Sequence, residues 1–234
     1  MSFENLKKSL KENSNSEQAK LLQRFFKTGK GEYGEGDVFI GLKVPVQRKI
    51  AKENSDLTFD ELKILIESKI HEERLTALLI LVSRFPKSGE VEKKKIFNFY
   101  ISNKSHINNW DLVDLSAPNI VGDFLLNKNK EMLYKMARSK NLWDKRISVL
   151  STFRFIKEND FKVSLDISKI LLKEDHDLIH KAVGWMLREI GKRNLEAEEK
   201  FLKENYKQMP RTMLRYAIEK FPESKRKKYL YGKI

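Results

Sequence analysis

The sequence contains no cysteine and few of the residues that interrupt regular structure. Zero cysteines exclude disulfide bonds, thiolate metal sites and a cysteine nucleophile, and they fit a reducing compartment. Glycine occurs 10 times and proline 5 times in 234 residues. That is about half of their usual share, which disfavours a turn-rich β fold. Alternating polar and apolar runs, which would indicate strands, are also missing. These absences favour a chain of helices.

Long hydrophobic runs are missing as well. The longest apolar run, residues 77–82, is far too short to cross a bilayer. The first residues of the chain include no apolar segment of the kind found in signal peptides. Hydrophobic residues make up 40% and charged residues 34% of the chain, which is typical of a soluble globular protein. We therefore expect a cytoplasmic protein, associated with the nucleoid if its source is a prokaryote.

Positive charge is present in large excess. The chain has 47 lysine and arginine residues against 33 aspartate and glutamate residues, a net charge of +14. This excess is larger than solubility requires and is typical of proteins that bind nucleic acid or an anionic membrane surface. A lysine-rich proteome would produce the same balance without any such partner. Composition therefore favours nucleic acid as the partner and leaves the alternatives open.

Helical patterns follow one another along the chain with short connections. The predicted ranges are 17–27 (with Ser16 as its cap), 45–53, 58–68, 72–85, 89–102, 110–126, 130–139, 143–157, 160–172, 178–193, 196–206, 211–221 and 224–229. A glycine-rich stretch, residues 28–37, contains a GxGxxG match. It lacks the preceding strand and the following helix that a dinucleotide-binding loop needs, so we interpret it as a linker.

Five of the predicted helices share a repeated pattern. Each begins near an anchor residue, which is followed three positions later by a small or β-branched residue; the anchors are Arg74, Trp110, Arg146, Lys181 and Arg215. Successive anchors are 36, 36, 35 and 34 residues apart (110 − 74, 146 − 110, 181 − 146 and 215 − 181). A period in this range, with two helices per repeat, is typical of a HEAT-like α-solenoid. We predict an all-α fold, with a single HEAT-like repeat domain over residues 1–234 and a concave groove.

Four of the five anchors are basic, so the groove is expected to carry a row of positive charges. Duplex phosphates present a matching array of negative charge. Arg74, Lys181 and Arg215 are therefore candidate DNA-binding residues. Arg188 joins them because it lies on the same helix face as Lys181 and Trp185. A row of solvated helix ends would contain the same residues, and that alternative stays open at this point.

Two central repeats depart from the pattern. At the position four residues after each anchor, leucine is the usual residue, but Asp114 and Trp185 replace it in these repeats. Trp110 also replaces the basic anchor in its own repeat. Core packing would account for the tryptophans, and a cap or an ion pair for the aspartate. A carboxylate between two indole faces instead suits a cation, such as the oxocarbenium-like sugar formed when a glycosidic bond is hydrolysed. Asp114, Trp110 and Trp185 are thus candidate catalytic residues, with the carboxylate able to position or deprotonate water.

Histidines give little sign of a metal site. His176 and His180 are four residues apart, as in a zinc-binding pair. The glutamate of HExxH is missing between them, and the chain's other histidines belong to different repeats. No P-loop, GxSxG or kinase motif occurs. We therefore expect neither a metal nor a cofactor.

Several motifs in combination resemble the AlkD-type DNA alkylation repair glycosylases. They are WDLVD at 110–114, GDFL at 122–125, NLWDKR at 141–146, KAVGWMLRE at 181–189 and GLKVP at 41–45. The resemblance runs from about residue 37 to residue 193. It implies a HEAT-like solenoid that grips duplex DNA and excises N3- and N7-alkylated purines, whose positive charge already makes the base a good leaving group. It also implies that the lesion is not flipped into a pocket.

The resemblance further implies roles for individual residues. Asp114 would stabilise the sugar cation and position water, and Trp110 and Trp185 would flank the deoxyribose of the lesion. Arg146 would contact the DNA backbone nearby. On this basis we expect a monomeric, monofunctional DNA glycosylase that acts on duplex DNA containing alkylated bases. The alternative is a non-catalytic HEAT-repeat scaffold that binds nucleic acid or protein.

Overall fold

The computed structural model describes residues 3–234, and it confirms the predicted all-α fold. An isolated parallel β-bridge joins Val38 and Ile70. The described residues contain no β-strand beyond this bridge. Over the same residues, none of the helices combines the length and the apolar character that a membrane span needs. The chain forms two compact units, the first ending at Ile120 and the second running from Val121 to Ile234.

The first unit is built around one buried helix. Its helices are α1 (Phe3–Glu12), α2 (Ser16–Phe25), α3 (Val44–Glu53), α4 (Phe59–Ile66), α5 (His71–Arg84), α6 (Glu90–Ser102) and α7 (Trp110–Ala117). Helix α5 packs against α3, α4 and α7. Every residue of α5 from His71 to Leu81 is buried. The polar side chains in its first turn must therefore find partners inside the protein.

The second unit stacks alternate helices on one another. Its helices are α8 (Asp123–Leu125), α9 (Glu131–Ala137), α10 (Leu142–Lys157), α11 (Lys162–Ile170), α12 (Asp177–Gly191), α13 (Leu195–Asn205), α14 (Arg211–Ala217) and α15 (Glu223–Leu230). Helix α12 packs against both α10 and α14, while α9 and α11 pack on α10 and α13 packs on α12. The three helices that carry predicted anchors are thus successive neighbours, which is the arrangement that a two-helix repeat predicts.

The sequence prediction misses one helix and places the start of another one residue late. Helix α1 is absent from the predicted set. Helix α2 begins at Ser16, and its cap is Asn15, whose side chain accepts a hydrogen bond from the amide of Gln18. Asparagine and serine are about equally good caps, so local sequence could not separate the two neighbouring residues.

The predicted helix over residues 110–126 is interrupted. Helix α7 ends at Ala117, and residues 118–122 form a π-helical turn before α8. Pro118 has no amide hydrogen to donate to the carbonyl of Asp114 four residues earlier, so the regular hydrogen-bond ladder cannot continue. The wider π turn is the form that the chain takes at this point.

Burial follows the predicted repeat register. The residues three positions after the anchors are all buried: Ala77, Val113, Val149, Gly184 and Ile218. One position later, Leu78 and Leu150 are also buried. Asp114 and Trp185 are half-buried at the equivalent position, and Glu219 is exposed. Leucine is therefore replaced in the repeats where this position reaches solvent.

A hydrogen-bonded turn fixes the chain before α3. The buried carboxylate of Glu72 accepts hydrogen bonds from the amides of Ile40, Gly41 and Leu42, at distances of 2.8–3.2 Å. Gly41 has a φ of +88°, and a Cβ atom there would lie 2.0 Å from the carbonyl oxygen of Asn15. Only glycine fits this conformation and this close approach.

Gly184 lies in the contact between α12 and α14. A Cβ atom at this position would be 2.5 Å from the carbonyl oxygen of Met213 and 2.5 Å from the Cβ of Tyr216. Gly184→Ala should therefore lower the free energy of unfolding by about 1–2 kcal/mol, because the clash outweighs the gain in helix propensity. Urea unfolding measures this change. Gly89→Ala is the comparison, since a Cβ there meets nothing within 4 Å and the only expected cost is that of a poorer cap on α6, about 0.5 kcal/mol. An equal effect of both substitutions would contradict the prediction.

Glu198 of α13 is a carboxyl group buried against α12. Its side chain is 1% exposed, and its Oε2 would lie 1.6 Å from a Cβ added at Gly191. Its Oε1 has no hydrogen-bond partner among the described residues. Burial, helped by the charge of Glu199, raises the pKa of Glu198 to about 8, although Lys225 and Arg188 act in the opposite direction. The carboxyl group is therefore mostly protonated at neutral pH.

This raised pKa makes stability depend on pH. In the folded protein the pKa of Glu198 is about 8, above the ordinary 4.5. Its protonated carboxyl group therefore adds its full contribution to the free energy of unfolding below pH 4.5, and this contribution is lost as pH rises through 8. Glu198→Gln stays neutral, so its stability relative to the wild type should grow between pH 5 and pH 9 by on the order of 3 kcal/mol. Urea unfolding at the two pH values measures this. Glu196→Gln, exposed on the same helix, should show no such growth, and parallel curves for wild type and Glu198→Gln would refute the prediction.

Candidate functional site

Helix α7 carries Trp110 and Asp114 one turn apart on the same side. Asn109 caps the helix, its side chain accepting a hydrogen bond from the amide of Trp110 at 2.8 Å. Asp114 is half-buried, so its carboxylate is partly accessible to solvent. Together with burial, its charge raises the pKa of Tyr100, a buried phenol whose hydroxyl lies 3.0 Å from the hydroxyl of Ser116. The carboxylate therefore lies at the border between the core and solvent.

Phenylalanines at the end of α2 support the indole of Trp110. The ring of Phe26 is stacked on it, with centroids 5.1 Å apart and planes within 12°. Phe25 meets the indole edge-on at 5.9 Å and is 63% exposed. Trp110 itself is half-buried. One part of the indole is thus held by packing, and another part is open to solvent.

A buried network of two carboxylates and two cationic groups lies against α7. It consists of Asp37, His71, Arg74 and Asp111, and we call it the Asp–His network. The imidazole of His71 bonds through Nδ1 to Asp37 at 3.0 Å and through Nε2 to Asp111 at 2.8 Å. Arg74 donates to the second oxygen of Asp37 at 2.6 Å, and the side-chain amide of Asn109 also donates to Asp37, at 3.1 Å. All of these residues are buried, each with an exposed fraction of 5% or less.

The geometry of the Asp–His network requires a protonated His71. Carboxylates only accept hydrogen bonds, so each ring nitrogen must carry a hydrogen. Burial disfavours the charge, but Asp111 and Asp37 more than compensate and raise the pKa of His71 to about 9. Burial also acts against the charge of Asp37, whose pKa is nevertheless lowered by the His71 hydrogen bond and by the charge of Arg74. At neutral pH two negative and two positive charges therefore balance.

No local sequence pattern singles out Asp37, His71 or Asp111. The pairs they form are 34 and 40 residues apart in the chain, so no local pattern joins them. The available signal was the polar run from His71 to Arg74 at the start of an otherwise apolar helix. Buried polar side chains need partners, and this run therefore implied a network without identifying its members.

The glycine-rich stretch 28–37 forms a series of turns, and its amides are used internally. The amides of Gly29 and Gly31 donate to the carboxylates of Glu32 and Glu35, at 2.9 and 2.8 Å. These bonds occupy the groups that a phosphate-binding loop would present to a ligand. The stretch ends at Asp37, which it brings to His71.

The predicted residues of α12 lie within the second unit. Trp185 is half-buried, its indole N–H donates to Glu189 at 3.1 Å, and its ring centroid lies 5.7 Å from that of Phe153. Arg188 is paired with Glu219. The indole and the guanidinium are thus both held by carboxylates of their own unit.

The other predicted basic residues differ in exposure. Lys181 is partly exposed and pairs with Asp177 at 2.7 Å. Arg215, on α14, is exposed. Arg146 is only 4% exposed and donates to the backbone carbonyl of Leu178. Its predicted contact with the DNA backbone would require this side chain to leave the carbonyl.

Arg74 is placed differently from the sequence prediction. It is 4% exposed, and its guanidinium belongs to the Asp–His network through Asp37. Moving it to a phosphate would leave a buried carboxylate without its partner, which costs several kcal/mol. The structure therefore places Arg74 in the interior of the first unit, and its predicted contact with DNA stays a prediction that would require it to leave Asp37.

The two histidines of the predicted pair have local roles. Nδ1 of His176 accepts a hydrogen bond from the amide of Leu178 at 3.1 Å and so caps α12. His180 is hydrogen-bonded to the carbonyl of Glu174. Over residues 3–234, no group of three or more histidine, aspartate or glutamate side chains is arranged to hold a metal ion.

Comparison with known proteins identifies the family. A family model described as DNA alkylation repair enzyme matches residues 6–221. The fold is similar to a solved structure described as a predicted DNA alkylation repair enzyme from Enterococcus faecalis, with a TM-score of 0.70 and 17% identity over 90% of this chain and 98% of that one. No curated protein matches the chain. Because the family model covers most of the sequence, the protein belongs to the DNA alkylation repair enzyme family, as its motifs predict.

Proposed function

We propose that this protein is a DNA glycosylase that hydrolyses the N-glycosidic bond of cationic N3- and N7-alkylated purines in duplex DNA. Family membership supports an enzyme of alkylation repair that acts on DNA. The observation that carries the proposal is the pair formed by Asp114 and Trp110, which are half-buried one turn apart on α7. The ring of Phe26 is stacked on the indole of Trp110 and supports it.

The proposed chemistry needs only a carboxylate, an aromatic face and water. The C1′–N9 bond breaks, and its electron pair neutralises the positive charge of the alkylated purine. The sugar becomes oxocarbenium-like, and both the carboxylate of Asp114 and the face of Trp110 stabilise this cation. Water then bonds to C1′ and passes a proton to Asp114, which releases it to solvent. The base leaves intact and an abasic site remains in the DNA.

Basic side chains of the second unit are proposed to bind phosphates. They are Lys181, Arg188 and Arg215, and the first two are paired with Asp177 and Glu219. The pair of Lys181 and Asp177 is exposed, and such pairs are worth about 0–1 kcal/mol, so a phosphate can replace this carboxylate at little cost. The side chain of Arg188 is only 17% exposed, so exchanging Glu219 for a phosphate is less favourable there. The net charge of +14 supports the same partner. The contacts predicted for Arg74, Arg146 and Trp185 remain predictions, as does the monomeric state.

A base-release assay tests the proposal. Purified protein in excess is incubated with duplex DNA treated with a methylating agent, and released bases are identified by liquid chromatography and mass spectrometry. We expect 7-methylguanine and 3-methyladenine as products, with no strand cleavage because no amine nucleophile is assigned to the site. Salt-sensitive binding to the duplex without any base release would instead indicate a non-catalytic scaffold.

A further inference from the structure

We propose that His71, acting as an imidazolium, is a positioning residue that holds α7 and the indole of Trp110 in the geometry that the proposed reaction needs. This inference rests on the proposed function, because it assigns Trp110 and Asp114 to the reacting site. His71 itself is 1% exposed, so it is too buried to contact a substrate directly. It acts through two routes, one of hydrogen bonds and one of stacked rings.

The first route passes through Asp111 to the first turn of α7. Nε2 of His71 binds one carboxylate oxygen of Asp111 at 2.8 Å, and the other oxygen accepts the amide of Leu112 at 2.8 Å. Asp111 directly follows Trp110 and precedes Asp114 by three residues in the same helix. Since α5 is buried on all sides, it is a rigid support to which this route ties α7.

The second route passes through aromatic rings to Trp110. The imidazole lies 4.4 Å from the ring of Phe39, with planes 22° apart, and 5.1 Å from the ring of Phe26. Phe26 is in turn stacked on Trp110 at 5.1 Å. A cationic ring on aromatic faces is favoured electrostatically, because the ring faces carry partial negative charge. One phenylalanine therefore separates the charge of His71 from the indole.

Loss of the proton would change both routes. The charged groups that act on His71 are Asp111 from α7, Asp37 from the glycine-rich stretch and Arg74 from its own helix. Phe26 and Phe39 face it with uncharged rings. A neutral imidazole would direct a nitrogen lone pair at one of the two carboxylates. That repulsion would loosen either Asp111 or Asp37, and the favourable charge on the rings would be lost.

Fluorine NMR tests the coupling without any reaction. In protein labelled with 5-fluorotryptophan, the resonance of Trp110 is assigned by its loss in Trp110→Phe. We expect this resonance to move with a midpoint near pH 9 in the wild type, following His71, and to lose this transition in His71→Gln. Asp111→Asn should keep the transition and lower its midpoint, which provides a second variant if His71→Gln does not fold. If the chemical shift of Trp110 does not change between pH 7 and pH 10, the proposal is overturned.

Single-turnover base release tests the consequence for the site. His71→Gln should release alkylated base roughly 10- to 100-fold more slowly, since small displacements of reacting groups have effects of this size. Its affinity for duplex DNA should stay within about two-fold, because His71 is buried and contacts no phosphate. Leu65→Ala, in the core of α4 (0% exposed), is the control for lost stability alone.

The outcomes separate the two proposals. If His71→Gln is no slower than a Leu65→Ala variant of similar melting temperature, His71 is purely structural and the positioning role fails. If the wild type releases no base at all, the proposed function fails. In that case the fluorine titration still decides whether His71 controls Trp110.

Discussion

Asp114→Asn should slow the release of alkylated bases by about 100- to 1,000-fold, the effect of removing one charged group that stabilises a transition state. Asparagine has the same shape but lacks the negative charge that the sugar cation needs. The measurement is single-turnover release of 7-methylguanine from methylated duplex DNA. The variant should bind duplex DNA at least as tightly as the wild type, because removing a negative charge from a phosphate-binding protein does not weaken attraction to DNA.

Asp60→Asn provides the matched control for Asp114→Asn. Asp60 is exposed in the first turn of α4, within the same unit, so this substitution removes the same charge from a position away from α7. Its rate should equal that of the wild type within about two-fold, since surface substitutions usually have small effects. Base release by Asp114→Asn at the wild-type rate would remove Asp114 from the mechanism and leave the aromatic residues to be tested.

Asp37→Ala should lower the free energy of unfolding by about 3–5 kcal/mol, because it removes the carboxylate that pairs with two buried cations. Asp37 accepts hydrogen bonds from His71, Arg74 and Asn109. Its loss therefore leaves donors from α5 and from the cap of α7 unsatisfied at the same time. Urea unfolding at pH 7 measures the change.

Asp175→Ala, at an exposed position before α12, provides the comparison for Asp37→Ala. It should change stability by no more than about 0.5 kcal/mol. If Asp37→Ala lost no more than this, the Asp–His network would contribute little to folding. Such a result would also weaken the case that α5 supports α7 through His71.

Comparison of Asp114→Asn with Asp37→Ala separates an effect on the reaction from an effect on stability, in two residues of the same type. Asp114 is half-buried, and Asp37 is 5% exposed with three donors around it. Asp114→Asn is therefore expected to spare the fold and remove activity, whereas Asp37→Ala is expected to act first on the fold. Burial, and not residue type, distinguishes the two roles.

Local patterns in the sequence were enough to predict most of the helices, the class of fold and the family. Helix positions follow from the spacing of apolar residues, and this spacing is visible within a dozen residues. The predicted repeat register matches burial, from the buried Ala77 and Val149 to the half-buried Asp114. The family was predicted from short motifs such as that of residues 110–114, and the family match over residues 6–221 confirms it.

Local sequence was thus sufficient to identify an all-α protein of the DNA alkylation repair enzyme family and to direct attention to Trp110 and Asp114. The packed helices were needed to show that Arg74 is internal, that His71 is held between two carboxylates and that Phe26 supports Trp110. The cause is distance along the chain. Asp37 meets Asn109 across 72 residues, and neither residue carries a mark of that contact in its own neighbourhood. Burial and charge pairing are properties of the packed chain, so they become visible only when the helices are in place.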